Sequence, residues 1–406
     1  MESSKQDYMF FSPSSSLLPQ EEMLEVKRRK NKLIIGIPKE TIAYESRVAL
    51  SPEAVALIIQ NGHKVIVQQD AGKNAYFPDK DYVDAGAEIV STAREVFESN
   101  IILKIAPLND EELEYLKPGQ TLISTLTMTM QKENYFKTLM KKKVTALSFE
   151  MIKDKTKSFP LVRSMSEIAG NTVILIAGEY LASKEYGKGR MFGGFSGITP
   201  TEVVILGAGT VGEFAARAAM GLGAVVKVFD NSIYKLRRLQ NNLNARVFTS
   251  IIQPKVLLKS LKTADVAIGA FHSNLGRTPI LVTEEMVSQM KNGSVIVDVS
   301  IDQGGCFETS KMTNHAQPVF QKFNVTHYCV PNIASRVPHT ASYAFSNFFA
   351  PVIINMGELG DALSLIKQDF GIRHGVYMFN GTLTNQYIGE YYKLPYQNIE
   401  LLLAAW

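Results

Sequence analysis

Cysteine, net charge and long apolar runs are scarce in this 406-residue sequence. Two cysteines, Cys306 and Cys329, make no disulfide framework, so a reducing, cytoplasmic location is expected. A formal net charge of +4 is too small to argue for nucleic acid as a partner. No stretch reaches the roughly 18 consecutive apolar residues of a membrane-spanning helix, so no membrane partner is expected of the chain itself. No metal site is expected, and no internal repeat is evident. The first residues are a different material: Ser3, Ser4, Ser12, Ser14, Ser15 and Ser16 dilute any pattern, and the basic group Lys27 to Lys30 follows the weakly apolar residues. A secretory signal has the opposite order, so residues 1–32 are expected to be a mobile tail.

What remains is a globular chain, 46% hydrophobic and 20% charged, long enough for more than one domain. Its organising stretch runs from Pro200 to Asp230. Val203 to Leu206 form an apolar run of strand length, and Gly207, Gly209 and Gly212 then supply a G-x-G-x-x-G turn holding Thr210 and Val211. A helix slimmed by Ala215, Ala216, Ala218 and Ala219 follows, and a second apolar run ends in Asp230. Strand, turn, helix, strand and acid arrive in the order of a dinucleotide-binding unit. The first glycine permits the tight turn, the second lets backbone approach a pyrophosphate, and the third lets helix and strand pack closely. Asp230 is placed to accept hydrogen bonds from the adenosine ribose and to repel a 2′-phosphate, which favours NAD over NADP.

Short apolar runs alternate with helix-length segments elsewhere too. Leu33 to Ile37, Lys64 to Val67, Ile101 to Ile105, Thr121 to Ser124 and Val144 to Phe149 are predicted strands of a first α/β unit. Ser51-Pro52-Glu53 opens a helix, and the capping-box spacing of Ser164 and Glu167 predicts another helix running to about Lys184. Ala264 to Gly269, Ser294 to Ser300 and Val325 to Val330 continue the nucleotide unit, and helices are expected from Tyr343 to Met356 and Leu359 to Lys367. Alternation of this kind predicts parallel sheets covered by helices on both faces. Ligands then bind beyond the carboxyl ends of the strands. That rule selects the Gly207 turn, the Ala270-Phe271-His272 loop, the loop from Ile301 to Cys306 and the segment from Val330 to Ile333. Asp302, beside two glycines, stands out, the bland alternative being a turn carboxylate capping its own backbone.

With these residues in hand, the sequence resembles the alanine dehydrogenase and nicotinamide nucleotide transhydrogenase α-subunit family, nearest to the alanine dehydrogenases. The carriers are IGIPKE followed by ESRVALSP, SMSEIAG, ILGAGTVGEFAARAAMGLGA, VDVSIDQGGCFE and YCVPNIASRVPHTASYAFSN, in the same order from about Leu33 to Trp406. The resemblance implies two doubly wound parallel-sheet, Rossmann-like domains. Residues 33–160, completed by 339–406, would form the substrate domain, and 161–338 the NAD-binding domain. It implies NAD, a small amino or keto acid as substrate, and a homo-oligomer. Ser166, Asp230, Lys235, Asp302, Asn332 and Ile333 match the family's cofactor contacts, with Phe271 and His272 lining the nucleotide pocket. Arg47 matches the arginine that holds the substrate carboxylate, and Asp302 joins it as a catalytic candidate.

Two departures fall on the substrate side. The family's catalytic histidine position holds Thr127, and its substrate lysine is missing from Lys104-Ile105-Ala106-Pro107. Three readings follow: an alanine or related amino-acid dehydrogenase whose proton chemistry uses Asp302 with His339 or His374; a transhydrogenase-like component; and an NAD-binding protein without turnover. His63, His315 and His327 are expected on turns or strand edges, and Cys306 as a small buried thiol.

Overall fold

The computed structural model describes residues 31–127, 131–273 and 276–404, so the expected N-terminal tail falls outside it apart from Asn31 and Lys32. The first half supplies β1 (Ile34–Ile37), β2 (Lys64–Gln68), β3 (Glu88–Val90), β4 (Ile101–Leu103), β5 (Thr121–Ser124) and β6 (Thr145–Ser148). β7 (Glu202–Leu206), β8 (Val225–Phe229), β9 (Phe248–Ser250), β10 (Val266–Gly269), β11 (Val295–Asp298), β12 (Val319–Lys322) and β13 (Val325–Tyr328) follow. β14 (Val376–Phe379) and β15 (Thr382–Leu383) close the chain's strand set among the described residues.

These strands form two sheets, ordered β15-β14-β6-β5-β4-β1-β2-β3 and β12-β13-β11-β10-β7-β8-β9. Most pairings are parallel, and the central runs are largely apolar because helices cover both faces: Val203, Val204, Ile205 and Leu206 of β7 are all fully buried. The pattern is not parallel everywhere. β14 runs antiparallel to both β6 and β15, and β12 antiparallel to β13. The C-terminal segment thereby completes the first sheet at its edge, where an antiparallel strand needs no crossover helix.

Each sheet reverses its order once, at β4/β1 in the first and β10/β7 in the second. The loops beyond those strand ends are where an open sheet of this type leaves a crevice. Helix Pro338–Leu359 packs Phe345, Phe349 and Ile353 into the core of the first sheet. Helix Pro160–Ala182 gives Leu161 to that core and Val173, Ile176 and Ala177 to the second. Helix Thr210–Gly221 lies against it so closely that a Cβ added at Gly170 would stand 2.6 Å from the Val211 carbonyl oxygen. The small Ala215, Ala216 and Ala219 make the same approach to the sheet possible.

Two local expectations change. Helix Pro160–Ala182 begins one turn before the supposed capping box, because Pro160 occupies its first turn, and the Ser164 hydroxyl donates to the Pro160 carbonyl at 3.1 Å. His327 is no edge residue: it is fully buried in β13, between β11 and β12, with Thr309 Oγ1 2.8 Å from its Nε2.

Candidate active site and nucleotide turn

Beyond β7 the chain turns through Gly207 at φ +114°, a left-handed conformation that favours glycine. A Cβ there would overlap the Ala270 carbonyl oxygen beyond β10, and one on Gly212 would overlap Gly207's own carbonyl oxygen. Gly209 differs: a Cβ at that position would meet nothing within 4 Å. Gly209 is the N-cap of helix Thr210–Gly221, and no side chain caps that helix. The N–H groups of its first turn, including Thr210 and Val211, stay available to an anion, and open space above a glycine at such a terminus fits a pyrophosphate.

Asp230 ends β8 almost fully buried. Its Oδ2 accepts from the Ala208 N–H at 2.8 Å and its Oδ1 from the Ser232 N–H at 2.7 Å, so it braces the glycine turn. Each carboxylate oxygen keeps a second lone pair for a ligand hydroxyl. Arg238, which the sequence did not single out, also holds this turn, its Nη2 donating to the Ala208 carbonyl at 3.2 Å. Across the crevice, Phe271 is fixed by Ser300, whose Oγ accepts from the Phe271 N–H at 3.0 Å and donates to its carbonyl at 2.8 Å. Burial, helped by the charge of Lys235, lowers the pKa of the His272 imidazole, which favours its neutral form. Ser166 sits half-buried on helix Pro160–Ala182.

On the first sheet, the loop after β1 carries Arg47, 7% exposed, beside Glu45, 9% exposed. Arg47 Nε donates to Glu45 Oε1 at 2.8 Å and Nη2 to Oε2 at 2.6 Å. Burial alone would raise the Glu45 pKa, but the Arg47 hydrogen bonds and charge outweigh it and hold the carboxyl below its ordinary range. The fork of Arg47 is therefore spent internally, while Nη1 has only Met165 Sδ, at 3.6 Å, among the described residues. A substrate carboxylate would find that remaining donor.

Glu45 also ties the two sheets together. Its Oε2 accepts from Asn332 Nδ2 at 3.3 Å, and the Asn332 N–H donates to Asp302 Oδ1 at 3.3 Å. Arg47, Glu45, Asn332 and Asp302 thus form one hydrogen-bonded chain, from the loop after β1 to those after β11 and β13. Asn332 adopts a left-handed backbone at φ +53°, and Ile333 is buried behind it. Asp302 is an exposed residue whose carboxylate nonetheless has protein packed closely around it. Lost hydration pushes its pKa up from 3.8 to about 6, against the Asn332 N–H and the Arg47 charge.

Serines absent from the sequence-based site hold this arrangement. Ser335 Oγ donates to the Tyr44 carbonyl at 3.0 Å, Ser342 Oγ accepts from the Val48 N–H at 2.9 Å, and Ser346 Oγ accepts from the Ser51 N–H at 2.7 Å. Ser342 and Ser346, four residues apart on one face of helix Pro338–Leu359, carry the sequence signal of it.

The two departures keep their character in three dimensions. Thr127 adopts φ +41°, a strained value for a β-branched residue, three residues past β5 and just before residues 128–130, which lie outside those described. Ala106 is buried, its N–H donating to Glu40 Oε2 at 3.2 Å. Lys104 does not take the place of the missing lysine: its fully buried Nζ lies 2.7 Å from both oxygens of Glu112 and 4.0 Å from Glu40. Burial raises the Glu40 pKa from 4.5 to about 8, with the Lys104 charge pulling the other way.

The suggested histidines are elsewhere. His339 Nδ1 donates to the Ala75 carbonyl at 2.9 Å and His374 Nδ1 to the Met151 carbonyl at 2.9 Å; among the described residues neither bonds Asp302 or Arg47. Cys306 is fully buried, and its burial pushes the thiol pKa well up, away from the nucleophilic form.

The family model described as alanine dehydrogenase/PNT, N-terminal domain, matches residues 36–169, and its C-terminal counterpart matches 173–386. An alanine dehydrogenase of Methanococcus maripaludis is 38% identical over 373 residues, covering 91% of this chain and 100% of its own length. One from Staphylococcus saprophyticus is 36% identical over 372 residues, with the same coverage. A solved L-alanine dehydrogenase superposes with a TM-score of 0.82 at 34% identity, covering 89% of this chain and 99% of its own. A transhydrogenase from Sinorhizobium meliloti, 22% identical with a TM-score of 0.74 and covering 87% and 99%, shares the fold. The chain belongs to the alanine dehydrogenase/PNT family.

Proposed function

We propose that this protein is an NAD-dependent oxidoreductase interconverting L-alanine, or a close amino acid, with its keto acid and ammonium. The carrying observation is the chain Arg47–Glu45–Asn332–Asp302, which joins the loops of both sheets beside an uncapped, glycine-lined helix terminus. The relatives named above support the reaction class. NAD would sit with its pyrophosphate at Gly207, Gly209, Thr210, Val211 and Gly212, and its remaining contacts at Asp230, Lys235, Ser166, Phe271, His272, Asn332 and Ile333. When bound, the nicotinamide accepts or returns the hydride.

The rest is the work of the chain's own groups. Arg47 Nη1 holds the substrate carboxylate and so fixes Cα. Loss of hydride from Cα and of a proton from nitrogen leaves an imine, which water must attack. Asp302, ionised above about pH 6, takes the water's proton and returns it to the departing nitrogen. Mixing protein, NADH, pyruvate and ammonium and following absorbance tests this: turnover supports it, and NADH binding with no turnover of any amino or keto acid sinks it.

Thr127, Ala106 and the locked Lys104 favour a second reading, an NAD-binding family member without deaminase turnover, acting as a sensor or scaffold. A transhydrogenase-like component has only fold-level support. We also propose that the domains are 33–160 with 339–406, and 161–338, since each sheet has its own buried clusters. Self-association is proposed on the exposed apolar Leu175, Met191, Phe195 and Ile198, and sedimentation of the full chain at monomer mass would contradict it.

A further inference from the structure

A pocket of about 360 Å³, open to solvent, lies beside helices Pro52–Gln60 and Asp79–Asp84 and the first turns of Pro338–Leu359. It shares no lining residue with the Arg47–Asp302 chain or the glycine turn. Its walls are aromatic. His339 lies over Phe77 with ring centroids 4.6 Å apart, and Tyr343 meets both edge-on at 5.5 and 5.1 Å. At the rim stands Tyr76, 77% exposed, making no ring contact among the described residues. Its backbone is left-handed at φ +64°, a conformation that costs an L-residue roughly 1 kcal/mol or more. That backbone closes the short turn Lys73–Ala75, the Tyr76 N–H donating to the Lys73 carbonyl at 3.1 Å, and it leaves the ring held out at the rim with no ring partner among the described residues.

Two carboxylates complete the lining, Glu53 and Asp81. Tyr343 Oη donates to Glu53 Oε1 at 2.9 Å, which aims that carboxylate, and neither acid forms an ion pair with lysine or arginine among the described residues. The combination is selective. The two acids, both exposed, repel an anion, and a neutral apolar guest gains no charge contact from them. A hard metal ion wants six or more oxygens, which aromatic walls do not supply. Aromatic faces beside carboxylates suit a cation with an alkyl body.

We propose that this cavity binds a small organic ammonium ion, its N–H donors on Glu53 and Asp81 and its methylenes against Tyr76, His339 and Tyr343. The site is independent of the oxidoreductase reading. Calorimetric titration of the full chain with n-butylammonium chloride tests it, n-butanol being the uncharged control. Saturable heat at millimolar probe is expected, with no response to n-butanol. Tyr76→Gly removes the ring while easing the left-handed backbone, so folding is retained, and Glu53→Gln removes one charge. Each is expected to weaken binding about fivefold, the scale of one cation–aromatic or exposed charge contact. No saturable heat with the unaltered protein, equal binding of n-butanol, or undiminished affinity in both variants would overturn the proposal.

Discussion

At the scale of single residues, Asp302 carries the chemistry proposed here, and its titration gives the sharpest expectations. A carboxyl whose pKa is raised from 3.8 to about 6 by folding binds more protons in the folded than in the unfolded state over that window. Its ionisation therefore subtracts stability as pH rises through it. Urea unfolding of Asp302→Asn should show the variant gaining on the unaltered protein between pH 4 and pH 7; a constant difference would contradict this. In deamination, kcat/KM should fall as pH drops through about 6, and that limb should vanish in Asp302→Asn together with most activity. Arg47→Lys retains a charge for Glu45 but loses Nη1. It should raise KM for the keto acid about 10- to 100-fold, the worth of one hydrogen bond to a charged group, and leave KM for NADH unchanged.

At the scale of elements, the glycine turn was legible because everything that defines it lies within a few consecutive residues. Gly207 needs its positive φ and Gly212 its missing Cβ. Gly212→Ala should force the turn apart, lowering stability by about 1–3 kcal/mol in urea unfolding and abolishing NADH binding in a calorimetric titration. The Arg47 loop was legible only as a motif. What fixes it are hydrogen bonds to Ser342 and Ser346 from residues 294 and 295 positions away, and no local pattern announces a partner so distant. Ser346→Ala leaves the buried Ser51 N–H unpaired, which should cost about 1–3 kcal/mol in urea unfolding and raise substrate KM. The start of helix Pro160–Ala182 was misplaced for the opposite reason. A capping-box spacing is local, but Pro160 is a stronger local signal one turn earlier. Short edge strands such as β3 and β15 were invisible because two or three residues carry no periodicity.

At the scale of the whole molecule, the α/β class followed from alternation alone, and the mostly parallel sheets bear it out. Composition said nothing about how the halves meet. That junction depends on Glu45, a buried acid that binds Arg47 on one side and Asn332 on the other. Ser335 adds a second tie there, its Oγ donating to the Tyr44 carbonyl at 3.0 Å and accepting from the Ser46 N–H at 3.3 Å. The substrate side remains the unusual feature. Thr127 and Ala106 offer no titratable group, and Lys104 is held by Glu112, so the proposed reaction assigns its proton traffic to Asp302.

The proposed function depends on nucleotide phosphate occupying the open space above Gly209. Gly209→Val isolates it, because the glycine has φ −76°, which valine adopts, and an added Cβ would touch nothing in the protein. Calorimetric titration with NADH should therefore give saturable binding to the unaltered chain and none to a variant that unfolds at the same urea concentration. Equal NADH affinity in both, or no binding by the unaltered chain at millimolar NADH, would contradict the account.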